Sequence, residues 1–375
     1  MKLKLVNLGV LAASMLVFAS CEDDDKMIDD VIDIVAPDTY TFEVNGNSTV
    51  SYGGQTTRLQ MVDEIYAILD AESAPEDVDG LDAKLDSMFF NGTKFSTDEL
   101  NNSKKKLGNK VGGYQAAVNK ENIVAYFRET LEDYAQNVVT ELGEEADQGK
   151  AGKSGKYQLN AKGMELDQVF AKGLIGALCL DQVANGYLSY EKISAADNTE
   201  RDEVKFYTTM EHYWDEGYGY VYGLDSEDTP SDILLKKYLV KDDVNSGYEG
   251  NAADVLAAFT LGRAAIVAGN TDVRDAQAAI VSQKLSEVVI HKAIYYLNSA
   301  AEQVNESGKF FHALSEGYGF IFSLQFTHDV TGNPYFTNAE VNEMLGELSS
   351  GNGFWDRTDA ELTTMADKIA AKLLK

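Results

Sequence analysis

His212-Tyr-Trp-Asp-Glu216-Gly-Tyr-Gly-Tyr220-Val-Tyr222 returns one hundred positions later as His312-Ala-Leu-Ser-Glu316-Gly-Tyr-Gly-Phe320-Ile-Phe322. Each copy follows a long helical pattern and a polar connection, so the repetition indicates two helical halves built on one plan. Residues four apart on a helix share a face. His212 therefore pairs with Glu216 and His312 with Glu316, with Asp215 three residues from the first histidine on nearly the same side. Tyr218, Tyr220 and Tyr222 also alternate with a period of two, as a strand would. Helix is the expectation, because both glutamates sit inside longer helical runs.

This pattern allows two chemistries. If a pseudo-twofold packing joined the copies, His212, Asp215, Glu216, His312 and Glu316 would offer imidazole and carboxylate ligands. Such a set suits a divalent metal or iron, and helical bundles do build metal sites this way. The alternative is structural: each glutamate bonds its own histidine or a nearby helix end, and Gly-Tyr-Gly packs the halves together. A local pair worth ~0.2–0.5 kcal/mol is reason enough for an i,i+4 His/Glu spacing. His291, four residues after Glu287, and His328, beside Asp329, are expected to be structural or solvated. No HExxH, GxSxG, phosphate-binding loop, GxGxxG or CxxC occurs, so hydrolase or nucleotide chemistry has no residues to rest on. Paired carboxylates say nothing in a chain with 61 acidic residues, and Trp214, Trp355 and the 20 tyrosines are expected in the core.

Outside the repeat, Tyr40, Phe42 and Val44 alternate up to Asn45-Gly46-Asn47 and resume at Val50 and Tyr52, which is a β-hairpin signal. Helical spacing starts near Thr57 with Leu59, Val62, Ile65, Tyr66 and Leu69, and a shorter helical piece covers Leu81 to Phe90. A further helix opens at Asn119 to Asn122. The Gly149 to Gly155 segment, rich in Gly, Lys and Ser, reads as a linker, after which Asn160 is placed to cap the next helix. Gly173 and Gly176 leave room for a close neighbour on that helix. Thr229-Pro230-Ser231-Asp232, Asp272 and Thr337-Asn-Ala-Glu340 are helix starts, and the last helix is expected over 358–374. Only four prolines occur, which suits long helices. The expected fold is all-α, a duplicated helical bundle with a short N-terminal β-hairpin, divided into related halves at about 38–225 and 226–375.

Residues 1–20, MKLKLVNLGVLAASMLVFAS, combine two early lysines, a short apolar run and small residues before Cys21, as an export signal does. The run is too short to span a bilayer, which takes ~20 apolar residues. The site resembles that of a lipoprotein signal peptide, making Cys21 the lipidated N-terminus and the membrane anchor. Residues 21–37, starting Cys21-Glu-Asp-Asp-Asp25, form an acidic tether and resemble the surface-export signal of Bacteroidetes-type lipoproteins. An outer-membrane lipoprotein facing either the periplasm or the exterior is the expectation. With Cys21 lipidated, Cys179 has no disulfide partner, and stability must come from a core that 44% hydrophobic residues can supply. The formal charge of −29 argues against nucleic acid and anionic headgroups as partners and favours cations or basic ones.

Two resemblances rest on these residues. Tyr40-Thr-Phe, Asn45-Gly-Asn-Ser-Thr-Val-Ser-Tyr52 and Gln55-Thr-Thr-Arg-Leu59, together with Glu211-His212-Tyr-Trp-Asp-Glu216-Gly-Tyr-Gly-Tyr220, resemble the lipoprotein family called domain of unknown function 4856. A more distant likeness is to imelysin-like proteins, exported duplicated bundles with a Gly-x-His-x-x-Glu motif and a link to iron uptake. Met210 stands in place of that motif's glycine, Asp215 in its acidic place, and Ser315 replaces the acid in the second copy. The resulting expectation is a non-enzymatic envelope lipoprotein that binds a ligand or partner, with iron or another metal as the ligand considered. An envelope scaffold without a small-molecule site is the second reading and a metallopeptidase-like hydrolase the third.

Overall fold

A computed structural model describes residues 34–225, 233–242 and 248–373. The export signal, Cys21, most of the acidic tether and the Thr229-Pro230-Ser231-Asp232 helix start lie outside the described residues. From Ile34 onward the chain belongs to one compact unit.

The hairpin forms where the turn chemistry put it, but it is short. β1 (Glu43–Val44) pairs antiparallel with β2 (Asn47–Ser48), and the two turn residues Asn45 and Gly46 both take positive φ, 52° and 78°. That backbone twist matches the strands, which is why Asn-Gly is favoured there. The helices α1 (Gly53–Leu69), α2 (Leu81–Asp86), α3 (Asp98–Asn102) and α4 (Ala117–Asp133) follow.

The Gly149 to Gly155 segment is no linker. It leads into a second antiparallel hairpin, β3 (Gly152–Ser154) with β4 (Tyr157–Leu159), turned by Gly155 at φ 65° and seated on the core through Ala151 and the fully buried Leu159. Its Gly, Lys and Ser composition serves the turn, while burial depends on just those two apolar residues. Asn160 does not cap the next helix either. Its Oδ1 accepts the backbone N–H groups of Lys162 and Met164, holding the loop before α5 (Leu166–Leu174).

α5 runs on into a π-helical stretch, Ile175–Tyr187. The widening has a local cause. The Ser323 hydroxyl donates to the Lys172 carbonyl at 2.7 Å and accepts from the Gly176 N–H at 3.0 Å, separating two groups that an α-helix would pair with each other.

The remaining elements are α6 (Tyr190–Ser194), α7 (Thr209–Tyr222), α8 (Leu234–Asp242), α9 (Asn251–Ala268), α10 (Thr271–Glu302), α11 (Ser307–Ser323), α12 (Asn338–Ser349) and α13 (Asp359–Ala370). Capping boxes start α7, α12 and α13, at Thr208, Thr337 and Thr358. α10 is the central strut and packs against α9, α11 and α13. α9 is long and apolar enough to cross a bilayer by length and composition, yet it packs on α7 and α10 and buries Arg263.

The first motif helix pairs with a helix inside residues 38–225, and the second pairs across residue 225. α7 packs on α1, and α11 packs on α5, so each pairs with the helix that follows one of the two hairpins. Copy one is therefore β1, β2, α1 and α7; copy two is β3, β4, α5 and α11. The spans of the two sets overlap between residues 152 and 222.

The second glycine of each motif permits these crossings. A Cβ on Gly219 would sit 2.5 Å from the Tyr52 Cβ, and one on Gly319 would sit 2.6 Å from the Lys172 Cβ and 3.1 Å from two backbone atoms of α5. Gly319→Ala is accordingly expected to lower stability by about 1–3 kcal/mol in urea unfolding. Gly346→Ala, in α12 with nothing within 4 Å, should instead stabilise by about 0.5–1 kcal/mol. Equal effects would show that the α5–α11 crossing is looser than described.

Candidate functional site

Each motif helix grips the chain just ahead of its partner helix. In copy one the His212 Nδ1 donates to the Ser51 carbonyl at 3.1 Å, and Asp215 accepts the Ser51 N–H at 3.0 Å. In copy two the His312 Nδ1 meets the Glu165 carboxylate at 2.5 Å, and Ser315 accepts the Glu165 N–H at 2.8 Å. Tyr52 and Glu165 are the N-cap residues of α1 and α5, and three residues on stand Gln55 and Gln168. Gln55 donates to Glu216 at 3.0 Å, whereas Gln168 accepts from Lys172, which pairs with Glu316 at 3.1 Å. Both histidines also stack on tyrosines, His212 on Tyr207 and His312 on Tyr157. The two motifs thus share a histidine stacked on tyrosine and a junction contact, which falls on Ser51, one residue before the N-cap, in the first and on the N-cap Glu165 in the second.

Copy one is closed by charge. Arg263, fully buried on α9, places its Nε 3.0 Å from Asp215 and its Nη1 3.1 Å from Glu211, the latter out of line for a hydrogen bond. Its Nη2 donates to Thr49, and Arg201 forks onto Glu211. The Tyr40 hydroxyl adds a 2.7 Å bond to Asp215. Burial lifts the Asp215 carboxyl to about 6 against the pull of Arg263. Burial also presses on Glu211, but the two arginines outweigh it and hold that carboxyl below its ordinary range.

Copy two opens onto a cleft of about 400 Å³ lined by Asp70, Glu72, Tyr157, Gln158, Glu165, Asp167 and His312, among others. Glu165 is answered by His312. Burial depresses the imidazole, but the Glu165 hydrogen bond and the charges of Glu165 and Glu316 outweigh it and raise its pKa. Glu316 is answered by Lys172, by the Tyr238 hydroxyl at 3.0 Å and by the His312 Nε2 at 3.6 Å. Ser315, three residues after His312, is no nucleophile: it is fully buried, and its hydroxyl is spent between the Glu165 N–H and the Phe311 carbonyl.

Asp167 is the exception. Three aspartates are at most 4% exposed: Asp167, Asp181 and Asp215. Asp181 accepts from Tyr114 N, Gln115 and Asn185, and Asp215 from Tyr40, Ser51 and Arg263. Asp167 receives one side-chain bond, from Gln168 at 2.6 Å, and no lysine or arginine lies within ion-pair distance among the described residues. Burial first, then the charge of Glu165, raises its carboxyl to about 7; Lys172 pulls the other way and Asp70 adds to the rise. Nearby, the Gln158 Oε1 is buried without a donor.

The five residues read from the motif thus divide between two surroundings. His212, Asp215 and Glu216 face the first hairpin, α1 and Arg263; His312 and Glu316 face Glu165, Lys172 and Tyr238. The structure does not bring the five together, and among the described residues no group of three or more His, Cys, Asp or Glu is placed to hold a metal. Glu165, Asp167, Gln168 and Lys172 were not singled out from sequence. Their one signal is the match of Gln168 to Gln55, each three residues into a helix that follows a hairpin.

A family model covers residues 37–373. The chain belongs to the family described as Domain of unknown function (DUF4856). No curated protein and no solved structure matches it. For this DUF4856 member the site must therefore be argued from its own side chains.

Two substitutions of opposite sign check the contrast between the copies. Arg263→Met strands Asp215 and Glu211 as buried charges and should cost about 3–5 kcal/mol. Asp167→Asn should stabilise. The folded carboxyl holds its proton up to about pH 7, while the unfolded chain releases it near the ordinary 3.8. Stability therefore falls as pH rises from about 4 to 7, and the amide removes that loss. Expected is a gain on the order of 1–4 kcal/mol at pH 8 and almost none at pH 4, read by chemical denaturation at both values.

Proposed function

We propose that this chain is a lipid-anchored, non-enzymatic binding protein of the cell envelope, whose ligand site is the cleft beside His312. The observation that carries this reading is Asp167, a carboxylate held in the core at a stability cost, with no ion-pair partner among the described residues, on the wall of a cleft of small-molecule size. The first copy of the same motif has its charges met by Arg263 and Arg201, so it needs no ligand to complete it. Binding rather than catalysis fits the side chains at the cleft, where serine is consumed by structural bonds and the His312 Nε2 faces Glu316. Cys179 is buried and its thiol is pushed up to about 12 by burial, which leaves it unreactive.

The anchor rests on the sequence around Cys21, with its charged start, short apolar run and small residues before the cysteine. An iron-related role is supported by the imelysin-like spacing around His212 alone. The acidic composition favours a basic or cationic ligand over an anionic one.

Two measurements test the reading. Cys21→Ser should move the protein from the membrane fraction to the soluble fraction; retention in the membrane would remove the lipoprotein assignment. Native mass spectrometry of protein released gently from its own membranes should show a bound small molecule. Glu72→Trp, which fills the cleft from its exposed rim, should abolish that adduct, and an adduct unaffected by it would place the ligand elsewhere.

A further inference from the structure

We infer that the cleft beside His312 takes an organic cation, an ammonium or guanidinium group on a short chain. The inference rests on that cleft being the ligand site and goes on to name the ligand's chemistry.

Among the described residues the cleft wall carries more unanswered acceptors than donors, the one unpaired cation on it being the Lys156 ammonium. Asp167 is bonded only by its neighbour Gln168 and by no cation, the Gln158 Oε1 is buried with no donor, and among the described residues the carboxylates of Asp70 and Glu72 make no hydrogen bond or ion pair. Gln158 has already turned its amide donor away, to the Ala71 carbonyl at 2.6 Å. The buried donors nearby are committed. His312 is bound to Glu165, and Lys172 to Gln168 and Glu316. Four carboxylates line the cleft, from Asp70, Glu72, Glu165 and Asp167, against one lysine, Lys156, and His312. A ligand that meets these acceptors must bring hydrogen-bond donors and positive charge, which describes an ammonium or a guanidinium.

Two further observations separate an organic cation from a bare metal ion. A metal needs several oxygens converging at about 2.0–2.6 Å, and the described residues hold no such group of three. Hydrogen bonds reach further and tolerate the spread of these acceptors. Tyr157 also lines the cleft, its ring stacked on His312 and carrying the Lys156 ammonium 5.2 Å from its centroid, so a ligand's cation would take the place that Lys156 holds. Within the same fold, the saturated Asp215 shows the chemistry that completes such a site, since its charged partner is a guanidinium.

The test is calorimetric titration of the purified protein at pH 8 with agmatine and with putrescine, beside butane-1,4-diol as an uncharged analogue, and with calcium and zinc ions alone. Agmatine or putrescine should bind and the diol should not. Asp167→Asn should weaken amine binding at least tenfold, and Tyr157→Leu by about threefold or more, with near-ultraviolet circular dichroism unchanged. Asp167→Asn is expected to be the more stable protein at this pH, so lost binding is not lost folding. Binding of zinc or calcium that Asp167→Asn removes, without binding of either amine, would overturn the organic cation and keep the cleft as the site. Amine binding indifferent to Asp167→Asn and Tyr157→Leu would overturn the inference as well. If neither amine binds while the adduct removed by Glu72→Trp is neutral or anionic, the cation inference fails and the site survives. If neither amine binds and no such adduct exists, both fall.

Discussion

The architecture depends on one repeated contact: a histidine-bearing helix clamps the first residues of a helix that follows a β-hairpin. A backbone N–H at that junction is accepted by the residue three past the histidine, Asp215 in one copy and Ser315 in the other. Ser51 stands one residue before the N-cap of α1 and Glu165 is the N-cap of α5, so a neighbouring helix that accepts the N–H there fixes both the register and the crossing. Gly219 and Gly319 then let the paired helices approach more closely than any side chain would allow. Because each clamp joins segments about 150 residues apart, the two copies are threaded through one another and fold as one unit.

The copies share this clamp and differ in what neutralises their acids. In the first, an aspartate accepts the junction N–H, and α9 supplies a buried arginine to meet it. In the second, serine performs the same acceptance without charge, and the acids have moved to the other side of the contact, Glu165 and Asp167. His312 and Lys172 meet Glu165 and Glu316, leaving Asp167 without an ion pair among the described residues. A buried carboxylate without a cation is destabilising, so the acids of the first copy are compensated within the fold while Asp167 of the second carries a cost.

Much of this was legible in the sequence. Asn45-Gly46 specified a turn with two positive φ values, Thr337 with Glu340 specified a capping box, and the repeated His-x-x-x-Glu-Gly-Tyr-Gly marked the two clamps. Such signals are local, set by one or two residues and their backbone. What the sequence hid was pairing. Gly149 to Gly155 looked like a linker because its composition is that of a turn, and only the tertiary seat of Leu159 makes it a hairpin. Asp167 is one acid among 61, and nothing in Glu165-Leu-Asp-Gln168 tells that it is buried while other acids are solvated. The motif residues were read as facing one another, whereas each faces the hairpin and helix that precede it in the chain.

The most direct test of the central claim is a crystal structure of the protein purified from its native membranes with its ligand retained. The account predicts that Arg263 joins Asp215 and Glu211 in the first copy, and that extra density lies within hydrogen-bonding distance of Asp167 and Gln158 in the second. A cleft closed by Lys156 folded onto Asp167, or His212 and His312 meeting in a common pocket, would contradict it.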